Sequence, residues 1–165
     1  MKILILKSHL KEGLDSLSKI GGENSLITLP ILKNFLMETV DNKIKLSITN
    51  LEIAITSFIP AKVVENGELT VPFGIFNSII NNIQSERIDL EVQNNNLIIK
   101  TDNYQAKIQG IKKEEFPIIP KINDKNFLLE ISNSLFKKSL SLVMSASQFS
   151  QNRPELSGVL FNYQV

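Results

Sequence analysis

The sequence predicts an α+β fold of duplicated β-α-βββ units, with two helices packed on one side of curved antiparallel sheets. Three observations lead to it. Before Gly110 the apolar residues switch twice from alternating to helical spacing and back. Only two stretches in that span read as helix among many extended ones, too few to cover both faces of the sheets, so the helices gather on one side. Finally, the opening pattern returns at an offset of 126 residues. Ile3 and Ile5 fall on Leu129 and Ile131, Ser8 on Ser134, Leu10 on Phe136, Lys11 on Lys137, Leu14 on Leu140 and Leu17 on Val143. A period this long indicates a duplicated domain and not a solenoid of roughly 20 to 50 residues per repeat. A strand, a Ser cap and an amphipathic helix are also an arrangement that two unrelated domains can share.

The first strand is the apolar run before Lys7. A helix is expected from Ser8, in the N-cap position, to Ile20, because Leu10, Leu14, Leu17 and Ile20 share one face and Gly21-Gly22 stops it. Its other face carries Lys7, Lys11, Glu12, Asp15 and Lys19. From Lys33 the period drops to two: Ile44, Leu46 and Ile48 alternate with polar residues after an Asp41-Asn42 turn, and Leu51, Ile53 and Ile55 carry the alternation on to Pro60. Lys62 to Glu65 and Glu68 to Val71 read as a hairpin closed by Asn66-Gly67, a two-residue turn that favours positive φ. Pro72 then opens a short helix to Ile83 with the stripe Phe76, Ile79, Ile80 and Ile83. Three alternating strands follow, Arg87 to Val92, Leu97 to Thr101 and Tyr104 to Gly110, separated by Asn94-Asn95-Asn96 and Asp102-Asn103. The first domain thus reads as strand, helix, strands, and then the same again.

Lys112 to Asn126, with Phe116-Pro117 and Pro120 among charges, breaks both periods and reads as linker. The expected organisation is a domain over 1–120, a linker over 121–126, and the first part of a second domain over 127–165. In the latter, Phe127 to Ile131 is a strand, Ser134 to about Ala146 a helix and Gly158 to Tyr163 a strand, with little sheet for them to close against.

Composition narrows the function. Lys plus Arg number 18 against 17 Asp plus Glu, so no global positive field draws the chain to nucleic acid or to an acidic membrane. There is no Cys, which excludes disulfides, thiolate metal sites and a cysteine nucleophile. The single His, His9, sits in the first turn of a helix, where a surface or capping role suits it better than catalysis. Glu114-Glu115 and Asp41 fall in turn and linker positions. Gly21-Gly22 lacks the preceding strand and the following Lys-Ser/Thr of a phosphate loop. No enzyme activity, metal or cofactor is expected. Four apolar residues after Lys2 are too few for a signal peptide or a membrane span, so the expectation is a cytoplasmic protein with no membrane partner.

Five short motifs then stand in order: Thr28-Leu29-Pro30-Ile31-Leu32 with Asn34, Thr49-Asn50-Leu51-Glu52-Ile53, Leu69-Thr70-Val71-Pro72, Phe116-Pro117, and Arg153-Pro154-Glu155-Leu156-Ser157-Gly158-Val159-Leu160-Phe161. In order and approximate spacing the chain resembles the bacterial sliding clamps, the beta subunit of DNA polymerase III. The resemblance covers the first domain and the first third of the second.

The resemblance implies the DNA-clamp fold, in a ring of two head-to-tail subunits of three similar domains each, with helices lining a hole around duplex DNA. It implies a processivity factor that tethers DNA polymerase III, is served by a clamp loader and contacts the phosphate backbone without reading sequence. Carried over by position, the DNA side would hold Lys7, Lys11, Lys137, Lys138, Gln151, Asn152 and Arg153. The lysines equally fit an ordinary solvated helix face. Ala106 and Ile108, on the last strand of the first domain, would meet a second subunit, although Ile108 also suits its own core. Leu156 matches a residue of the partner-peptide pocket, the rest of which lies outside this sequence. The chain departs from the family pattern in two places. Glu23 and a longer loop precede the Leu-Pro-Ile-Leu motif, and Phe73-Gly74 stands where a basic pair often follows Val-Pro. Two other readings remain, a stand-alone nucleic-acid-binding module with a basic helix face and a small hydrolase. Neutral charge and the lack of stacking aromatics on the strands count against the module, and the single surface His against the hydrolase.

Overall fold

The computed structural model describes residues 1–21, 29–120, 130–147 and 153–162. The chain divides into two compact units, Met1–Pro120 and Lys121–Val165. The first begins with β1 (Lys2–Leu6), which runs without a break into α1 (Lys7–Gly21). A 3-10 turn, Pro30–Lys33, leads to β2 (Asn34–Val40), β3 (Lys43–Thr49) and β4 (Ala54–Pro60). Next come β5 (Lys62–Glu65), β6 (Glu68–Pro72), α2 (Phe73–Asn82), β7 (Arg87–Gln93), β8 (Asn96–Lys100) and β9 (Gln105–Gln109).

Two antiparallel sheets result, one ordered β5-β1-β7-β8-β9 and the other β4-β3-β2-β6. The expected two-fold pattern is visible in this order, because β1-α1-β2-β3-β4 and β6-α2-β7-β8-β9 are equivalent halves. Each half gives its first strand to the other's meander: β1 pairs with β7, and β6 with β2. This exchange interlocks the halves, and α+β is the observed class.

The exchange overturns one local expectation. Lys62–Glu65 and Glu68–Pro72 form no hairpin, since β5 joins β1 in one sheet while β6 joins β2 in the other. Neither Asn66 nor Gly67 has a positive φ. Gly67 is instead held by Thr39, whose Oγ1 accepts its N–H at 2.9 Å and whose own N–H donates to its carbonyl at 3.0 Å. A Cβ on Gly67 would stand 2.7 Å from that of Met1, so the position calls for a small residue because of close packing and not because of turn geometry. The primed-turn geometry appears elsewhere, at Asp41-Asn42 (φ 45° and 57°) and at Asn94-Asn95 (φ 49° and 61°), the β2–β3 and β7–β8 turns that the two-fold relates.

The core lies between the helices and the sheets. Leu10, Leu14, Leu17 and Ile20 of α1 meet Ile44, Leu46, Ile48 and Ile59 of β3 and β4. Each large apolar side chain buried there contributes roughly 1.5 to 3 kcal/mol before entropy is counted, which stabilises a helix that would be marginal alone. Phe73 and Phe76 anchor α2 on Phe35, with ring centroids at 6.0 and 5.2 Å. Gly21 ends α1 where a Cβ would meet Phe73 and Ile48 at 2.7 and 2.6 Å; Gly22 and Glu23 lie outside the described residues.

Several motif residues are turn-makers. Asn34 Nδ2 donates to the carbonyls of Ile31 (2.9 Å) and Pro30 (3.2 Å), closing the 3-10 turn. Between β3 and β4, Asn50 Oδ1 accepts the N–H groups of Glu52 and Ile53, while Thr49 Oγ1 accepts from Leu51 N and donates to Ile53 O. That knot interrupts the alternation expected through Leu51, Ile53 and Ile55. Leu51 takes φ 77° with 62% of its surface exposed, and the strand resumes only at Ala54.

The segment after β9 also differs from a free linker as far as Pro120. Thr70 and Ile111 exchange backbone hydrogen bonds at 3.0 and 2.8 Å, a 3-10 turn spans Lys113–Glu115, and Phe116 is buried. In the second unit, α3 spans Asn133–Met144 with Ser132 at its N-cap position, two residues before the expected Ser134. Glu130 and Ile131 are not strand, and residues 158–162 form none. Phe127 to Leu129 and Tyr163, which complete those two expected strands, lie outside the described residues.

Candidate nucleic-acid interface

The helix layer of the first unit is organised by an exchange of charge at the helix ends. Because β1 enters α1 directly, no residue is available to cap the helix from its own chain end. The loop before β7 supplies the cap: Glu86 accepts the backbone N–H of Ser8 at 3.0 Å and the Ser8 hydroxyl, and its carbonyl accepts Lys7 N–H at 2.7 Å. Ser8 therefore donates to a neighbouring carboxylate instead of capping α1 with its own oxygen, as expected from sequence. Those hydrogen bonds from Ser8, and to a lesser degree the charges of Lys7 and His9, hold the Glu86 carboxyl below the usual carboxylate range. In return, Lys7 Nζ donates to the carbonyls of Ile83 and Asn81 at the C-terminus of α2. An anion at one helix N-terminus and a cation at the other's C-terminus both match the helix dipoles.

Of the predicted DNA-side residues, Lys7 is thus engaged within the fold, while Lys11 is exposed on the outward face of α1 with Lys19, Glu12 and Asp15. Among the described residues, no ion pair involves α1. His9 is half-buried on the same helix. It reaches the edge of an open cleft of about 860 Å3 formed with Leu4, Leu6, Lys62, Val63 and Arg87. That cleft contains no paired carboxylates and no nucleophile–base pair, and among the described residues no group of three or more metal-ligating side chains occurs. Nor is any helix there long and apolar enough to cross a membrane.

In the second unit, Lys137 and Lys138 are exposed on α3. Arg153 is exposed just before the 3-10 turn Pro154–Leu156, and Leu156 is 55% exposed. Gln151 and Asn152 lie outside the described residues. Phe136 packs on Phe161 with centroids 5.9 Å apart, at the side of an apolar cleft of about 450 Å3 that also takes in Leu140 and Val143.

β9 is the edge strand of the five-stranded sheet, paired with β8 on one side and, among the described residues, with no strand on the other. Ile108 is only 4% exposed and belongs to the core, and Ala106 packs partly against that core. What β9 offers a neighbour is therefore its main-chain edge and Ala106; the Ile108 side chain is already used.

The sequence reading missed an ionic cluster on the four-stranded sheet. Lys113 Nζ lies 2.9 Å from Glu38 and 2.7 Å from Glu68, and Lys45 lies 2.8 Å from Glu38. Burial alone would raise the Glu38 carboxyl, but hydrogen bonds from Lys45 and Lys113 outweigh it and hold the group below its ordinary value. Lys113 is raised, chiefly by Glu68 and then by Glu38. The available signal was the pattern of two glutamates at facing positions of β2 and β6, which needs the strand register.

The comparisons with known proteins agree with this geometry. The family model for the DNA polymerase III beta subunit, N-terminal domain, matches residues 1–120. The chain is similar to the beta sliding clamp of Mycoplasma genitalium, at 31% identity over 98% of this chain and 44% of that protein. It is also similar to that of Bacillus subtilis, at 26% identity over 100% of this chain and 45% of that protein. Among solved structures it resembles the Bacillus subtilis DNA polymerase sliding clamp (TM-score 0.85, 24% identity, 93% of this chain, 42% of that one). It resembles equally the Pseudomonas aeruginosa DNA polymerase III subunit beta (TM-score 0.85, 21% identity, 96% and 43%). The chain spans under half the length of these relatives. By its match over residues 1–120 it belongs to the family of the DNA polymerase III beta subunit, N-terminal domain.

Proposed function

We propose that this chain is the N-terminal part of a DNA sliding clamp, a processivity factor that encircles duplex DNA and tethers the replicative DNA polymerase III. The observation that carries the reading is the interlocked pair of β-α-βββ halves over residues 1–120, in a chain of this family. Residues 1–120 would be the clamp's first domain, 121–126 the link, and 127–165 the beginning of the central domain. The role is mechanical, with no catalytic residue of its own. Linkage to DNA is topological, so the contacts are loose, directed to phosphates and indifferent to sequence.

On this reading Lys11, Lys137, Lys138 and Arg153 face DNA with Gln151 and Asn152, and Lys7 contributes only through the field it shares with the end of α2. The β9 edge, with Ala106 and beside Ile108, meets the second subunit of a head-to-tail dimer. Strand addition along an open edge suits that role, since backbone hydrogen bonds supply affinity without a large apolar patch. Leu156 would belong to the pocket that takes peptides of the polymerase and of the clamp loader, in the cytoplasm. The test is retention of the intact clamp containing this chain, loaded on circular and on linear duplex. It should persist on the circle and run off the ends of the linear form; equal retention on both sinks the proposal.

A further inference from the structure

The two helices of the first unit differ in a way that a phosphate-gripping surface does not explain. From Phe73 to Asn82, α2 has no charged residue, and its outward stripe is Gly74, Ile75, Asn77, Ser78, Asn81 and Asn82. On α1, Lys11 and Lys19 are interleaved with Glu12 and Asp15, and Lys7 is held by the α2 carbonyls. The layer as a whole is close to neutral.

What α2 presents is hydrogen-bonding capacity without charge. Asn81 Nδ2 donates to Asn77 Oδ1 at 3.3 Å, and Asn82 Nδ2 donates to the Ser78 carbonyl at 2.8 Å. These contacts orient the carboxamides along the helix, while each NH2 keeps a second donor. Such donors reach phosphate oxygens directly or through a bridging water, and they displace no counterions. With only the phosphate charged, each contact lacks the attraction between two opposite charges that an ammonium–phosphate pair has, so it exchanges readily as a duplex moves past.

We propose, resting on the clamp reading, that Asn77, Ser78, Asn81 and Asn82 form an uncharged track for the phosphodiester backbone of duplex DNA, and that Lys11 and Lys19 of α1 supply the ionic contacts beside it. Gly74 provides a way to test the track by addition. Its φ is not positive, and a Cβ there would meet nothing within 4 Å, so Gly74→Lys places a cation on the track without steric cost.

The experiment is an NMR titration of the 165-residue chain with a mixed-sequence duplex of about 15 base pairs, at salt between about 50 and about 200 mM. Signals of Asn77, Ser78, Asn81 and Asn82 should shift as duplex is added. Replacing Asn77, Asn81 and Asn82 together by Ala, a better helix former, should weaken binding about 3- to 10-fold while leaving the salt slope unchanged. Gly74→Lys should tighten binding and steepen the slope of log affinity against log salt by about 0.9. Shifts confined to α1 and the second unit, or an unchanged affinity in the triple Ala variant, overturn the track while the clamp reading stands. Shifts nowhere, or only on outward sheet faces, also overturn the track, whereas the clamp reading falls only with equal retention on circular and linear duplex.

Discussion

Glu38 and Glu68 stand opposite each other across the β2–β6 pair, an arrangement in which like charges repel. The sheet keeps both because Lys113, arriving from beyond β9, donates to each, and Lys45 adds a second cation to Glu38. Lys113→Met removes the bridge and leaves two facing carboxylates, one of them mostly shielded from water. Allowing for solvent around the half-exposed lysine, the expected loss near neutral pH is about 1 kcal/mol. Its pH dependence identifies the cause. A carboxyl held below its ordinary value contributes stability above its unfolded pKa and loses it as pH falls through the folded value. An ammonium raised by its partners contributes below its unfolded pKa and loses it as pH rises through the folded value. The gap between wild type and Lys113→Met should therefore be flat from neutral to mildly alkaline pH, close as the carboxylates protonate and close again at strongly alkaline pH. Urea midpoints across pH measure it, and a gap that persists in acid would assign the loss to packing instead.

The same cluster matters at the scale of elements, because it fastens the chain leaving one sheet onto the other. Residues 110–116 run from β9 across β6 through the Thr70–Ile111 bridge and the buried Phe116. Gly110 permits the crossing: a Cβ there would lie 2.7 Å from Leu69 Cγ and 2.8 Å from the Thr70 carbonyl oxygen, which is backbone and cannot swing away. Gly110→Ala should thus cost about 1 to 3 kcal/mol by overpacking, read as a lower urea midpoint with the fold retained by circular dichroism. Elements defined by short-range pattern were legible in the sequence: the α1 face Leu10, Leu14 and Leu17, the α2 stripe, and the Asn-rich turns at Asp41-Asn42 and Asn94-Asn95. Features that depend on distant partners were not. Asn66-Gly67 looks like a hairpin turn locally, yet β5 and β6 separate because each finds its pairing in a different sheet. Lys112 to Pro120 looks like a linker because its partners, Thr70, Glu38 and Glu68, lie far back in the chain. At the candidate interface, the lysines of α1 could be placed on a helix face from spacing alone. That Lys7 turns to the carbonyls of α2 depended on where the second helix ends.

For the whole molecule, the internal repeat compares one helix in two settings. Leu10, Leu14 and Leu17 are buried to within 1% in α1, under β3 and β4. Their counterparts at offset 126 in α3 are Phe136, Leu140 and Val143, of which the first two are half-buried and Val143 is 51% exposed; α3 has no buried residue. An apolar stripe left this exposed contributes little, and a helix of this length is marginal in water on its own. Global stability should then reside in residues 1–120, which contain the interlocked sheets and the continuous core. A chain ending at Pro120 is expected to keep the unfolding free energy of the 165-residue chain to within about 0.5 kcal/mol, since the buried core cluster lies wholly within it. In hydrogen exchange, amides of β3 and β7 should open only with global unfolding, while those of α3 exchange through local opening at far lower cost. A loss above about 1 kcal/mol on truncation, or α3 amides as protected as those of β3, would show that the second unit contributes to the cooperative fold.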